Sequence, residues 1–243
     1  MKTITNMARI ATTSGQRFPM SAQRKTSLAA GVLYLLTFVS IPTLSLYGHV
    51  KGPNYILSAG PDTSVIIGGV LEIIVALAGI ATAVVLFPVL KKQDERLALG
   101  LVAARILESG TIFVGVSFLL SIVTLRQSGA GTEALGASHA LAILYDRIFL
   151  LGQSFMPALC DLLLGYLLYQ SRLVPRSLSL IGLLGGPLLL LGYIAVLFGF
   201  IGQHDPLSMI SAIPVALFEF SLGIWLVVKG FNTTFPDPVT VLR

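Results

Sequence analysis

Five ionisable residues interrupt otherwise apolar runs of this chain: Glu72, Arg105, Glu108, Asp161 and Glu219. Each is costly wherever water is excluded, so each needs a partner or a task. Arg105 and Glu108 are three residues apart, a spacing that puts them on one face of a helix within reach of each other. Arg105 also has a stem long enough to snorkel toward the cytoplasmic surface. Four carboxylates against one guanidinium leave at least three acids without a fixed counter-charge. Such a carboxylate either takes up a proton or holds a mobile cation. Both outcomes suit proton-coupled or cation-dependent function. The plainer alternative is that protonated Glu and Asp only hydrogen-bond neighbouring helices.

The elements that must position these groups follow from composition and run length. Hydrophobic residues make up 55% of the chain and charged ones 11%, against about 25% charged in an average soluble domain. A bilayer core about 30 Å thick takes roughly 20 apolar residues in a helix. Six windows reach that length: 28–47, 63–90, 98–125, 148–169, 178–201 and 207–228. None shows the alternation of a barrel strand, and lipid leaves helices as the remaining way to satisfy the backbone. The expected fold is therefore all-α, an integral membrane bundle of six transmembrane helices. Small residues line the acids: Gly68, Ala76, Gly79 and Ala83 with Glu72; Ser208, Ala212, Val215 and Gly223 with Glu219; Ser154 and Gly165 with Asp161. Stripes of that kind face other helices rather than lipid. Glu72 and Glu219 have the most room for water beside them. The GxxxG spacing of Gly182 and Gly186 is read as a packing device.

Positive charge is distributed on one side. Lys2, Arg9, Arg17, Arg24 and Lys25 precede the first window, and Lys91, Lys92, Arg96, Arg172, Arg176, Lys229 and Arg243 fall in even-numbered connections and the tail. The odd-numbered connections hold Lys51 and Arg126, with Asp146 and Arg147 at the outer boundary. Both termini are thus expected to be cytoplasmic. Topology accounts for the net charge of +5, and no nucleic-acid partner is expected. Residues 1–27 form a basic cytoplasmic segment expected to be disordered, residues 28–228 the transmembrane domain and residues 229–243 a cytoplasmic tail. Met20 is an alternative start, and the first window is too long for a cleaved signal sequence. The third connection, over 132–145, either lies on the outer surface or extends the fourth helix upward.

Other chemistry finds little support. Cys160 is alone, so an intrachain disulfide or cysteine metal site is excluded, and it is read as a packing residue. His49, His139 and His204 lack the spacing of a helical metal motif, so no metal is expected. No phosphate loop, nucleophile elbow or H-E-x-x-H occurs, and no cofactor is expected. Prolines Pro42, Pro88, Pro157, Pro187 and Pro214 interrupt five windows. They do not match between the two halves as the broken helices of an inverted-repeat transporter would.

Several runs taken together resemble a known family. They are Gln23-Arg24-Lys25-Thr26, residues 81–93 (Ala-Thr-Ala-Val-Val-Leu-Phe-Pro-Val-Leu-Lys-Lys-Gln), residues 164–176 (Leu-Gly-Tyr-Leu-Leu-Tyr-Gln-Ser-Arg-Leu-Val-Pro-Arg) and residues 222–230 (Leu-Gly-Ile-Trp-Leu-Val-Val-Lys-Gly). The chain resembles, over residues 24–231, the prokaryotic membrane family designated domain of unknown function 4386. That resemblance implies six helices in a prokaryotic plasma membrane and supplies no activity. Glu72, Arg105 and Glu108 fall at charged positions of the family pattern without an assigned role, and the residues before Met20 depart from its short start. The leading expectation is a binding or transport protein whose carboxylates handle a proton, a cation or a small polar solute, with the lipid bilayer as its partner. Alternatives are a structural or regulatory membrane component without substrate and a membrane-embedded enzyme acting on lipid. The charge asymmetry makes a direct prediction for topology. A reporter active only outside the cytoplasm should be active when fused after Arg126 and silent after Arg172, and the reverse pattern would overturn the arrangement.

Overall fold

The computed structural model describes residues 20–203 and 205–232. The basic residues Lys2, Arg9, Arg17 and Arg243, the ring of His204, and most of the expected N-terminal segment and tail lie outside them. Among the described residues there is no strand, and six helical spans are long and apolar enough to cross a membrane. The first is composite. Helix α1 (Ala22–Leu36) gives way to a tighter turn at Thr37–Ser40, then to the single turn α2 (Thr43–Leu46) after Pro42. The missing proline N–H breaks the helical ladder there. The others are α3 (Thr63–Leu90), α4 (Glu95–Gln127), a fourth span assembled from α5 (Leu135–Phe149), a wide π-helical turn (Leu150–Phe155) and α6 (Met156–Ser171), then α7 (Arg176–Leu197) and α8 (Pro206–Val228). The stretch 132–145 therefore extends the fourth helix upward, and that span runs from Gly131 to Ser171.

Helix ends follow local chemistry. Ser21 accepts from the Arg24 N–H and Asp94 from the Leu97 N–H, capping α1 and α4. Glu95 in the first turn of α4 and Arg126 in its last both complement the helix dipole. Arg24 reaches from α1 to the carbonyls of Leu226 and Val227, the unsatisfied C-terminal end of α8. One side chain thus ties the first span to the last and sets both at one end of the bundle, the terminal end.

Sequence neighbours pack side by side, and α1 closes the ring by lying between α3 and α8. Close approach depends on small residues. A Cβ at Gly31 would lie 2.7 Å from the Gly223 carbonyl oxygen, so α1 and α8 meet backbone to backbone. Gly182, Gly185 and Gly186 admit Phe218, Pro214 and the Ala158 carbonyl in the same way, in line with a packing role for this spacing. Tyr34, Leu86, Leu90, Leu101, Leu164, Phe218 and Leu222 fill an apolar layer toward the terminal end. A second layer at the far end holds Tyr47, Val50, Tyr55, Leu119, Ile122 and Tyr145. Leu107, Leu184, Leu191 and Ile213 project outward, as lipid-facing residues do.

The far end is bound together by polar contacts. Arg126 pairs with Asp62 at 2.6 Å, donates to the Gly60 carbonyl and lies over the Tyr55 ring at 4.4 Å. Tyr55 and Gln127 also donate to Asp62. Burial pushes the Asp62 carboxyl up, but the hydrogen bonds from Tyr55 and Gln127 and the Arg126 charge together hold it below its ordinary value. A folded-state value that is depressed adds stability present above the unfolded value, about 3.9, and lost as pH falls through the folded one. Thermal unfolding in detergent should therefore show Asp62→Asn destabilised by about 1–3 kcal/mol at neutral pH, with the difference shrinking in strong acid. A constant difference at all pH values would remove the ionised carboxylate from the account.

Candidate functional site

Arg105 lies two to three turns into α4, on the face turned to the bundle interior, and its side chain is 4% exposed. It does not snorkel to a surface. Its Nη1 donates to both oxygens of Glu108, at 3.2 and 2.9 Å, while Nη2 donates to Glu219 on α8 and sits 3.5 Å from the Tyr34 hydroxyl. The guanidinium also lies over the Tyr34 ring, 5.7 Å from its centroid. The three-residue spacing correctly marks the Arg105–Glu108 pair. The count of unpartnered acids needs correction, because one planar fork serves two carboxylates. What persists is the imbalance of one guanidinium against two acids.

Asp161 sits on α6 beside this group, within electrostatic reach of Glu219, Arg105 and Glu108. It is fully buried, and neither carboxylate oxygen has a hydrogen-bond partner. Cys160, next to it in the chain, directs its thiol at Glu108 Oε2 over 3.6 Å. The cysteine is therefore more than filler: its weak S–H donor adds to the shell of a buried carboxylate.

Glu72 stands apart from the Arg105 group. Gly68, Ala76, Gly79 and Ala83 share its buried face, as the small-residue stripe predicts. A Cβ at Gly68 would come 2.4 Å from the Tyr47 ring, so glycine there is what seats Tyr47 one turn from Glu72. Tyr145 donates to Glu72 Oε1 at 2.9 Å and Gln153 to the same oxygen at 3.4 Å. Oε2 of Glu72 and the hydroxyl of Tyr47 have no partner of ordinary hydrogen-bond geometry. Gln153 owes its position to the π-helical turn. Pro157 cannot donate to the carbonyl four residues back, and the widened turn absorbs that loss. Gly152 lets the turn seat on α4, since a Cβ there would meet Thr111 Oγ1 at 1.9 Å.

Two cavities meet at Gln153. The deeper one, counted from the far end, has a volume of 240 Å³, opens on the flank of the bundle beside the exposed Ile41, and is lined by Arg105, Glu108 and Glu219 together with Thr37, Ser40 and Ser109. A larger one, of 560 Å³, extends toward the far end past Tyr47, Tyr145, Phe149, Tyr193, Ser208 and Ser211, and includes Lys51 and Asp146. Gln153, Leu189 and Ala212 line both. Their origin is the break in the first span. Helix α1 packs along α8, but α2 packs on α3, so beyond the Thr37–Ser40 turn the chain parts from α8. Of the two acids expected to have most room, Glu219 faces the deeper cavity, and Glu108 lines it with Glu219.

Of the five residues singled out in the sequence, Arg105, Glu108, Asp161 and Glu219 come together and Glu72 joins a neighbouring site through Gln153. Tyr34, Tyr47, Tyr145 and Gln153 carry no isolated sequence signal. The nearest cue was Pro157, whose missing donor marks the turn that holds Gln153. His49 packs edge-on against Tyr55, and among the described residues no group of His, Cys, Asp and Glu is placed to hold a metal ion.

Arg105 holds one buried and one partly buried acid at once, so its removal leaves both uncompensated. Arg105→Leu should cost about 3–5 kcal/mol, read as loss of monodisperse protein or a large fall in melting temperature. Adding Glu108→Gln and Glu219→Gln to that variant should recover most of the loss. No recovery would mean that the guanidinium acts through packing rather than charge.

No curated protein and no solved structure matches the chain. The family model described as domain of unknown function (DUF4386) matches residues 29–230. That match takes in all six spans except the opening residues of α1, and the chain belongs to this family.

Proposed function

We propose that this chain binds, and by extension moves, a proton, a cation or a small polar solute at its intramembrane carboxylates, with Glu219 and Glu108 receiving the charge. One observation carries the reading: the 240 Å³ cavity is lined by both carboxylates and adjoins the larger cavity through the shared wall of Gln153, Leu189 and Ala212. The acids exceed the guanidinium, so a positive guest is favoured over an anion. Asp161, buried without a partner, increases that excess wherever it is ionised.

The same reading sets the protein in a prokaryotic plasma membrane with its termini cytoplasmic. In that orientation the larger cavity faces outward. The charge pattern supports it, since Lys51, Arg126 and Arg147 stand at the far end, whereas Arg24, Lys25, Lys91, Lys92, Arg96, Arg172, Arg176 and Lys229 stand toward the terminal end. A structural component without substrate is the second reading. It draws on the tie that Arg105 makes between α4 and α8.

Melting curves in detergent separate the two. Sodium, potassium or methylammonium, tested on both sides of neutral pH, should raise the melting temperature of the wild type. A ligand at a hundredfold its dissociation constant adds about 2.7 kcal/mol. The rise should vanish in Glu219→Gln, which keeps a donor and an acceptor but cannot ionise. Absence of any cation or proton dependence in folded wild-type protein would leave the structural reading standing.

A further inference from the structure

We propose that the two cavities form one site for an amphipathic organic cation, a primary amine on an aromatic or short aliphatic body, with its ammonium in the deeper cavity and its body in the larger one. This rests on the cation reading above and names the class of ligand. The deeper cavity supplies the charge. Glu219 gives one oxygen to Arg105, has no further hydrogen bond among the described residues, and its side chain remains 14% exposed where it lines the cavity. Ser40 and Ser109 stand in the same wall, and the hydroxyl of each already donates to a backbone carbonyl, which leaves its oxygen free to accept. An ammonium has three protons to give, and a carboxylate with nearby hydroxyl oxygens satisfies them.

The larger cavity supplies the apolar half. Phe149, Leu150, Tyr193, Val196 and Met209 line it, a composition suited to a ring or alkyl body rather than to a hydrated metal ion. Its volume of 560 Å³ lies within the usual span of small-molecule sites, about 300–1,000 Å³. Tyr47 stands in the same wall, 3% exposed, with its hydroxyl turned to Glu72. Access fits an amphiphile too. The break at Pro42 separates α2 from α8, and Leu44 and Met209 on the two sides of that gap are both largely exposed on the flank of the bundle. A molecule partitioned into the bilayer could enter sideways.

The test compares three probes with one apolar body: 4-phenylbutylammonium, 4-phenylbutanol and 4-phenylbutyrate. Each is titrated by calorimetry against the full chain in nanodiscs, with empty nanodiscs subtracting partition into lipid. Phenylbutylammonium should bind saturably and about tenfold or more tightly than the alcohol, and the carboxylate should not bind. Glu219→Gln should erase the preference for the amine. Ala212→Phe, which fills the wall that the two cavities share while keeping every charge, should weaken the amine about tenfold or more. If methylammonium stabilises the wild type but phenylbutylammonium binds no better than the alcohol, the ligand class is wrong and the cation reading survives. If neither amine binds folded protein, both fail. Equal amine binding by Glu219→Gln would also overturn the proposal.

Discussion

A guanidinium buried between two carboxylates is the constraint around which this bundle is organised. Placing Arg105 away from water is affordable only when its charge is compensated, and here its two Nη groups are taken by Glu108 on the same helix and Glu219 on α8, while Nε has no partner. The contact fixes the rotation of both helices, because turning either by one residue would carry a charge to the lipid face. Tyr34 extends the constraint to α1 through its ring and hydroxyl. Three spans are thereby held at one depth, just beyond the apolar layer of the terminal end.

Space beside that cluster arises from two departures from regular helix, each traceable to a proline. Pro42 ends the ladder of the first span and lets α2 lean on α3 instead of α8. Pro157 follows a widened turn that directs Gln153 to the boundary between the cavities and onto Glu72. Both irregular stretches line cavities, which is where membrane proteins tolerate them. Gln153 therefore couples the two groups of carboxylates: its amide donates to Glu72 while its side chain borders the space in front of Glu219.

Much of this was legible in residue order. Window 63–90 coincides with α3, and the small-residue stripe on Glu72 marked its buried face, because length and face depend only on local periodicity. The stretch 132–145 stayed ambiguous, since mild amphipathicity suits both a surface helix and an extension of a span. The fate of Arg105 was not legible. Its choice between surface and interior depends on Glu219, which lies 114 residues away in the chain. For the same reason the tyrosines around Glu72 escaped notice: Tyr47 and Tyr145 are ordinary boundary aromatics until the fold brings them to one carboxylate.

The account stands or falls on whether water reaches the carboxylates from one side of the membrane. Thiol labelling in intact cells reads this directly. With Cys160 replaced by alanine, single cysteines at Ala212 and Ala216, which line the deeper cavity, and at Leu222, in the apolar layer, are exposed to a membrane-impermeant charged methanethiosulfonate. Reaction at 212 and 216 from outside the cell, with 222 protected, is the predicted result. Protection of all three, or reaction of 212 and 216 only from the cytoplasmic side of inverted vesicles, would contradict an outward-facing site.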